Sequence, residues 1–184
     1  VRSQQGPAVI CYYMRHTKAF DFYKVYPPLL HKLELVLAEC DSRGTEYWAT
    51  SGWRSWEEQN RLYALGRTVK NVDASEERPL GGKVTNARGG QSFHNMGLAV
   101  DFAPDKDTQR DGLQPEWDLQ KFRTLAEAAR KHGLEAGFWW VNFKDGPHVE
   151  LPIKKYGLTL AQLARLHEQG GLSGVWSFLD KYQW

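Results

Sequence analysis

The sequence predicts a single α+β domain, a small sheet with helices packed around it. Three observations carry this. Short runs with strand-like alternation occur at 47–50, 97–102 and 148–151, and runs that brief need partners to be stable. Segments of helical periodicity with capping signals lie between and after them. The chain has 184 residues, 41% hydrophobic and 25% charged, the size and balance of one globular domain with a sizeable core.

Residues 1–26 mix aromatic and basic side chains, among them Tyr12, Tyr13, Arg15, Phe20 and Lys24, without periodicity. They are expected to form an arm packed on the domain. From Pro27 onward Leu29, Leu30, Leu33, Val36, Leu37 and Cys40 recur at helical spacing, and prolines suit a first helical turn, so a helix runs to about Asp41. A strand at 47–50 delivers Ser51-Gly52-Trp53-Arg54. Ser55 and Glu58 make a capping box for the next helix, with Gly66 as its stop, which places Arg54 at a strand-to-helix corner.

Residues 68–90 are rich in Gly, Asn and charge, with a weak capping signal at Ser75-Glu76-Glu77. Connections of that length in compact domains tend to be functional lids or mobile segments. In the strand at 97–102, Leu98, Val100 and Phe102 share the core-seeking face and Asp101 points the other way. A polar loop at 105–114 follows, and its Asp107 and Asp111 lack the spacing of a calcium loop. Residues 117–132 form an amphipathic helix with Phe122, Leu125, Ala126 and Ala129 on one face and Gly133 past its end. Asp145-Gly146-Pro147 then makes a turn into the strand at 148–151, where His148 and Glu150 share one face. Thr159 and Gln162 cap a further helix that Gly170-Gly171 ends, and 175–182 is a last short helix.

The whole of 1–184 is taken as one domain, with a core at about 27–153, the arm at 1–26 and a C-terminal helical appendage at 154–184. A net charge of +2 does not call for nucleic acid as a partner. No apolar run reaches the length of a membrane span, and the start Val1-Arg2-Ser3-Gln4-Gln5 lacks a signal-peptide core. A monomer is expected. Cys11 and Cys40 are the only cysteines and lack metal-site spacing; whether they pair is left open.

The polar residues form a split set, Ser92-Phe93-His94-Asn95-Met96-Gly97-Leu98-Ala99-Val100-Asp101 and Asp145-Gly146-Pro147-His148-Val149-Glu150. Two imidazoles and a carboxylate are what a catalytic zinc ion takes from a protein, with a fourth position left for water. His94 lies in the turn before the strand of Asp101, where Gly97 allows the backbone to bend back. Asp145 stands three residues before His148, across the turn, as a candidate proton shuttle. His16, His31, His132 and His167 are expected to be structural, His132 at a helix C-terminus and His167 on a polar helical face.

The pattern Ser-x-His-x-x-Gly-x-Ala-x-Asp followed by Asp-x-x-His resembles the peptidoglycan LD- and DD-peptidase family of zinc metallopeptidases, which shares its fold with the Hedgehog signalling domain. A third element, Ser51-Gly52-Trp53-Arg54-Ser55 with Gln59, falls in the family's order, so the likeness spans residues 48–151. It implies a small antiparallel sheet carrying one zinc ion on His94, Asp101 and His148. It also implies Asp145 as general base and Arg54 as the cation facing the oxyanion. Against these stand a surface ion pair of Arg54 with Glu57 or Glu58, and Glu150 as the base. Glu150 more naturally orients His148 through its second ring nitrogen. Ser92 either contacts substrate or caps the turn, and Gln59, Trp139 and Trp140 line the cleft or pack in the core.

The family's dipeptidases carry Glu where this chain has Asp145, whereas its endopeptidase branch carries Asp. The resemblance therefore implies a cut between L-alanine and D-glutamate of the peptidoglycan stem peptide, as by a phage endolysin made in the host cytoplasm and released to the wall on lysis. The competing expectations are a D-alanyl-D-alanine carboxypeptidase or dipeptidase, and a non-catalytic metal-containing wall-binding module.

Overall fold

The computed structural model describes residues 21–106 and 113–184. Helix α1 spans Pro27–Ser42, β1 Tyr47–Ser51, α2 Trp56–Ala64 and β2 Ala99–Pro104. Then come α3 at Arg123–Lys131, β3 at Glu135–Ala136, β4 at His148–Glu150 and α4 at Leu160–Leu179. The strands form one sheet in the order β1-β2-β4-β3, antiparallel throughout. The α+β class and its antiparallel sheet agree with expectation.

One face of this sheet is the core. Leu98, Val100 and Phe102 from β2 and its approach, and Val149 and Leu151 at β4, are buried against Leu29, Leu33, Val36 and Leu37 of α1 and Leu125, Ala126 and Ala129 of α3. Because side chains alternate along a strand, burying Val100 and Val149 as a cross-strand pair turns the next pair, Asp101 and His148, to the opposite face. An irregularity between Ala49 and Ser51 shifts the β1 register so that Ser51 also lies opposite Asp101.

The turn that carries His94 is a 3₁₀ segment, Phe93–Met96, ended by Gly97 at φ 67°. A Cβ on Gly97 would lie 2.1 Å from the Lys24 carbonyl oxygen, so both the left-handed backbone and the close approach require glycine. The Gly97 carbonyl accepts from the Tyr26 amide at 2.9 Å, and the Trp176 indole N–H donates to the Met96 carbonyl at 2.9 Å. The C-terminal helix thus braces the turn from outside.

Several local expectations are corrected. The helix expected at 117–132 begins only at Arg123, after a 3₁₀ turn at Leu119–Phe122 whose start is capped by the Asp118 carboxylate accepting from the Gln120 amide; Trp117 is left outside it. The Ser55 box closes on one side, Ser55 Oγ accepting from the Glu58 amide at 3.1 Å, because the Glu58 carboxylate pairs with Arg61 instead. Ser75 makes a turn with Arg78 rather than a helix start. The Thr159 box closes both ways, and the two C-terminal helical stretches meet at a kink at Gly171. Strand β3 was not foreseen. Cys40 is a buried free thiol, while Cys11, most of the arm, Asp107 and Asp111 lie outside the described residues. No described helix is long and apolar enough to cross a membrane.

Between α1 and α3 the Glu39 carboxylate accepts from Lys131 Nζ at 2.9 Å and His132 Nε2 at 2.9 Å, and pairs with Arg43. The Lys131 hydrogen bond above all, with Arg43 and His132 adding, lowers the Glu39 carboxyl to about 2. A carboxyl depressed in the folded state stabilises above its unfolded pKa of about 4.3, and that contribution is lost as pH falls through the folded value. The urea midpoint of Glu39→Gln should therefore change less than that of the parent chain between about pH 4.3 and pH 2; parallel curves would refute the assignment.

Candidate metal centre and catalytic cleft

His94 Nδ1 lies 2.7 Å from the Gly52 carbonyl oxygen. A carbonyl only accepts, so Nδ1 carries the proton and Nε2 presents a lone pair. That Nε2 is 3.1 Å from Asp101 Oδ1. His148 is oriented the other way round, its Nε2 donating to Glu150 Oε2 at 2.8 Å while Nδ1 sits 3.1 Å from the same Asp101 oxygen. The two unprotonated nitrogens are 3.3 Å apart. Lone pairs facing each other beside a carboxylate repel unless a cation lies among them. The donor atoms of His94, Asp101 and His148 all fall within 4.8 Å of one another, and their chemistry fits a divalent metal ion.

Unprotonated facing nitrogens belong to the metal-bound state; without an ion, the same demand for positive charge is met by a proton on His148. Burial would lower His148, but its hydrogen bonds to Asp101 and Glu150 push it up to about 10. Burial would raise Asp101, but the two imidazoles hold it well below the usual carboxylate range. Glu150 is itself 3% exposed, so its contact with His148 is shielded from water. Glu150→Gln should weaken metal affinity by about 10- to 100-fold, measured by competition with a chelator of known affinity; unchanged affinity would leave Glu150 a packing residue.

Arg54 enters from the β1–α2 corner. Its Nη2 is 3.7 Å from Asp101 Oδ2 and donates to Ser51 Oγ at 2.8 Å, and Nη1 donates to Gln59 Oε1 at 2.8 Å. It makes no ion pair with Glu57 or Glu58 among the described residues. Gln59, expected at the cleft wall, lies beneath it at 0% exposure. It receives Arg54 and donates through Nε2 to the Ala87 carbonyl at 2.8 Å and to Thr85 Oγ1 at 3.3 Å. It therefore ties Arg54 to the loop that forms the cleft wall.

Asn95 is a positioning residue that the sequence did not single out. Fully buried, it donates to the Arg54 carbonyl at 2.9 Å and accepts from the Gly90 amide at 3.0 Å. Its place beside His94 was the only available signal.

A cavity of about 610 Å³ opens over these groups, walled by Arg54, Ser92, His94, Asp101, Trp140, Asp145 and His148 among others. Asp145 sits on a clamped turn: its amide donates to the Gly137 carbonyl at 3.0 Å, and Gly137 packs so closely on it that a Cβ there would lie 2.5 Å from the Asp145 carbonyl oxygen. Burial first, and then the Asp101 carboxylate, raise its carboxyl above the ordinary range. Ser92 makes no capping bond and faces the cavity. Trp140 stands 5.1 Å from the His148 ring and donates to Glu135 Oε1 at 3.1 Å, whereas Trp139 donates into α3 and packs there. The long loop contributes Val84, Thr85, Asn86 and Ala87 to the wall, and Asp73 cross-links its earlier part to Arg78 and the Gly82 amide. His132 pairs with Glu39 and His31 with Glu34. His167, expected on a polar face, stacks on Trp56 at 5.3 Å.

Residues 15–148 match the VanY family, described as D-alanyl-D-alanine carboxypeptidase. The peptidoglycan L-alanyl-D-glutamate endopeptidase CwlK of Bacillus subtilis is 36% identical over 136 residues, 69% of this chain and 73% of CwlK. Among solved structures, the L-Ala D-Glu endopeptidase ChiX of Serratia marcescens aligns at a TM-score of 0.49 and 23% identity, covering 74% of this chain and 87% of ChiX. The LdcB LD-carboxypeptidase aligns at a TM-score of 0.48 and 21% identity, covering 76% of this chain and 75% of LdcB. The resemblance to the peptidoglycan peptidases is thereby borne out, and the chain belongs to the VanY family.

Proposed function

We propose that this protein is a zinc-dependent peptidoglycan endopeptidase that cuts the bond between L-alanine and D-glutamate in the stem peptide. The reading rests on the convergence of three metal donors, Asp145 and Arg54 on one cavity, in a chain 36% identical to CwlK. His94 Nε2, Asp101 Oδ1 and His148 Nδ1 would hold the ion, and two imidazoles with one carboxylate suit zinc better than manganese or cobalt. A bound zinc supplies Lewis acidity, lowering the pKa of water from about 15.7 to about 7 and polarising a carbonyl.

The chain's own groups do the rest. Asp145 takes the proton of the attacking water and returns it to the departing amine. Arg54, held by Ser51 and Gln59, presents a fixed cation to the oxyanion without having to reorganise. Glu150 keeps His148 in the tautomer that points Nδ1 at the ion, and Ser92 and Trp140 wall the peptide's path. The enzyme acts on the wall as a monomer, in the manner of an endolysin.

Digestion of purified peptidoglycan with mass analysis of the fragments tests this. New N-terminal D-glutamate is expected. Release of D-alanine would replace it with the carboxypeptidase reading that the family's description favours, and absence of metal-dependent cleavage would leave a binding module.

A further inference from the structure

The geometry points to Lys154 as the residue that recognises a carboxylate of the substrate and so helps decide which peptide is cut. Apart from the metal-site histidines, Arg54 and Lys154 are the only basic side chains that line the cavity among the described residues. Arg54 is already committed to Ser51, Gln59 and Asp101. The Lys154 ammonium group has no hydrogen-bond or ion-pair partner among the described residues. Three basic groups outside the cavity are engaged elsewhere: Lys144 Nζ donates to the Phe138 carbonyl, and Arg67 and Arg88 lie over the Tyr63 ring.

The placement of Lys154 is rigid where it matters. It sits on a 3₁₀ turn, Ile153–Tyr156, that follows β4 directly. Ile153 is 1% exposed and anchors the turn in the core, and the turn closes through Gly157 donating to the Lys154 carbonyl. The backbone is therefore tied to the strand that carries His148, and Lys154 itself is part of the cavity wall. The three carboxylates that also line the cavity do not neutralise it. Asp101 faces the imidazoles, Glu150 is bonded to His148, and Asp145 has no ion-pair contact with it. A free ammonium beside a peptide-binding cavity forms its charge-assisted hydrogen bond only when an anionic group arrives.

The substrate proposed above has such groups. A glutamyl residue extends a peptide through one of its two carboxyls and leaves the other free, and the peptide's C-terminus is a second carboxylate. The inference rests on the peptidase reading and adds the recognition chemistry to it.

The test uses zinc-loaded protein and three synthetic stem peptides: one unmodified, one with the free glutamyl carboxyl amidated, and one with the C-terminus amidated. With the parent enzyme, one of the two amidations should raise KM by about tenfold, the scale of a hydrogen bond to a charged group, and so identify which carboxylate is bound. Lys154→Gln should raise KM for the unmodified peptide by about the same factor, keep kcat within about twofold, and become indifferent to that amidation. Lys154→Arg should restore most of the affinity. Calorimetric binding of the unmodified peptide to Asp145→Asn, with and without Lys154→Gln, should show the same factor in Kd without turnover. Lys154 is exposed, so equal thermal midpoints are expected. Parent-like KM and Kd for Lys154→Gln, or its continued sensitivity to the same amidation, would overturn the assignment. If the parent enzyme instead releases D-alanine, the bond assigned above falls while the C-terminal amide still decides the role of Lys154.

Discussion

His94→Ala is expected to yield a folded chain that no longer retains metal and has no measurable turnover. Only Asp101 and His148 would remain as donors, and catalytic zinc sites take three ligands from the protein. Removing the ring also strands the Gly52 carbonyl that accepts from Nδ1, which costs about 1–3 kcal/mol. Metal content per chain by mass spectrometry, with a urea melt to establish folding, separates loss of the ion from loss of the fold. Retention of one zinc per folded chain would remove His94 from the ligand set.

Asp145→Ala should do the opposite, keeping the metal and the fold but lowering kcat by about 10²- to 10⁴-fold, the usual contribution of a positioned general base. The argument turns on which carboxylate is free to move a proton. Glu150 Oε2 is held by His148 Nε2 at 2.8 Å, on the side of the ring away from the donor set. Asp145 lies in the cavity wall, within the fields of Asp101, both imidazoles and Arg54. Single-turnover rates on a stem peptide, together with metal content, check this. Near-parent activity would transfer the role to Glu150.

The elements legible in the sequence were those with local causes. The proline start and apolar spacing of α1 hold from Pro27 to Ser42, because helix periodicity needs only neighbouring residues. The alternation around Asp101 and His148 foretold which side chains leave the core, since a strand has one solution once one face is apolar. Strand β3, two residues long, carries no period to detect, and the 3₁₀ start before α3 depends on one side-chain hydrogen bond at Asp118. Helix spacing could not place Gln59, whose partners at Thr85 and Ala87 lie more than 25 positions away.

By itself the sequence determined the chemical types, their order and their faces: two histidines, Asp101 and Asp145 near turns, and Arg54 at a corner. Only the tertiary structure decided that they meet. The ligands are 47 to 54 residues apart across the two halves of the motif, and they converge because burying Val100 against Val149 sets the antiparallel register that pairs Asp101 with His148. Which ring nitrogen each histidine presents was likewise decided by distant acceptors, Gly52 and Glu150. Local pattern specifies what a residue is and which way it points; register and packing between distant segments specify what it faces.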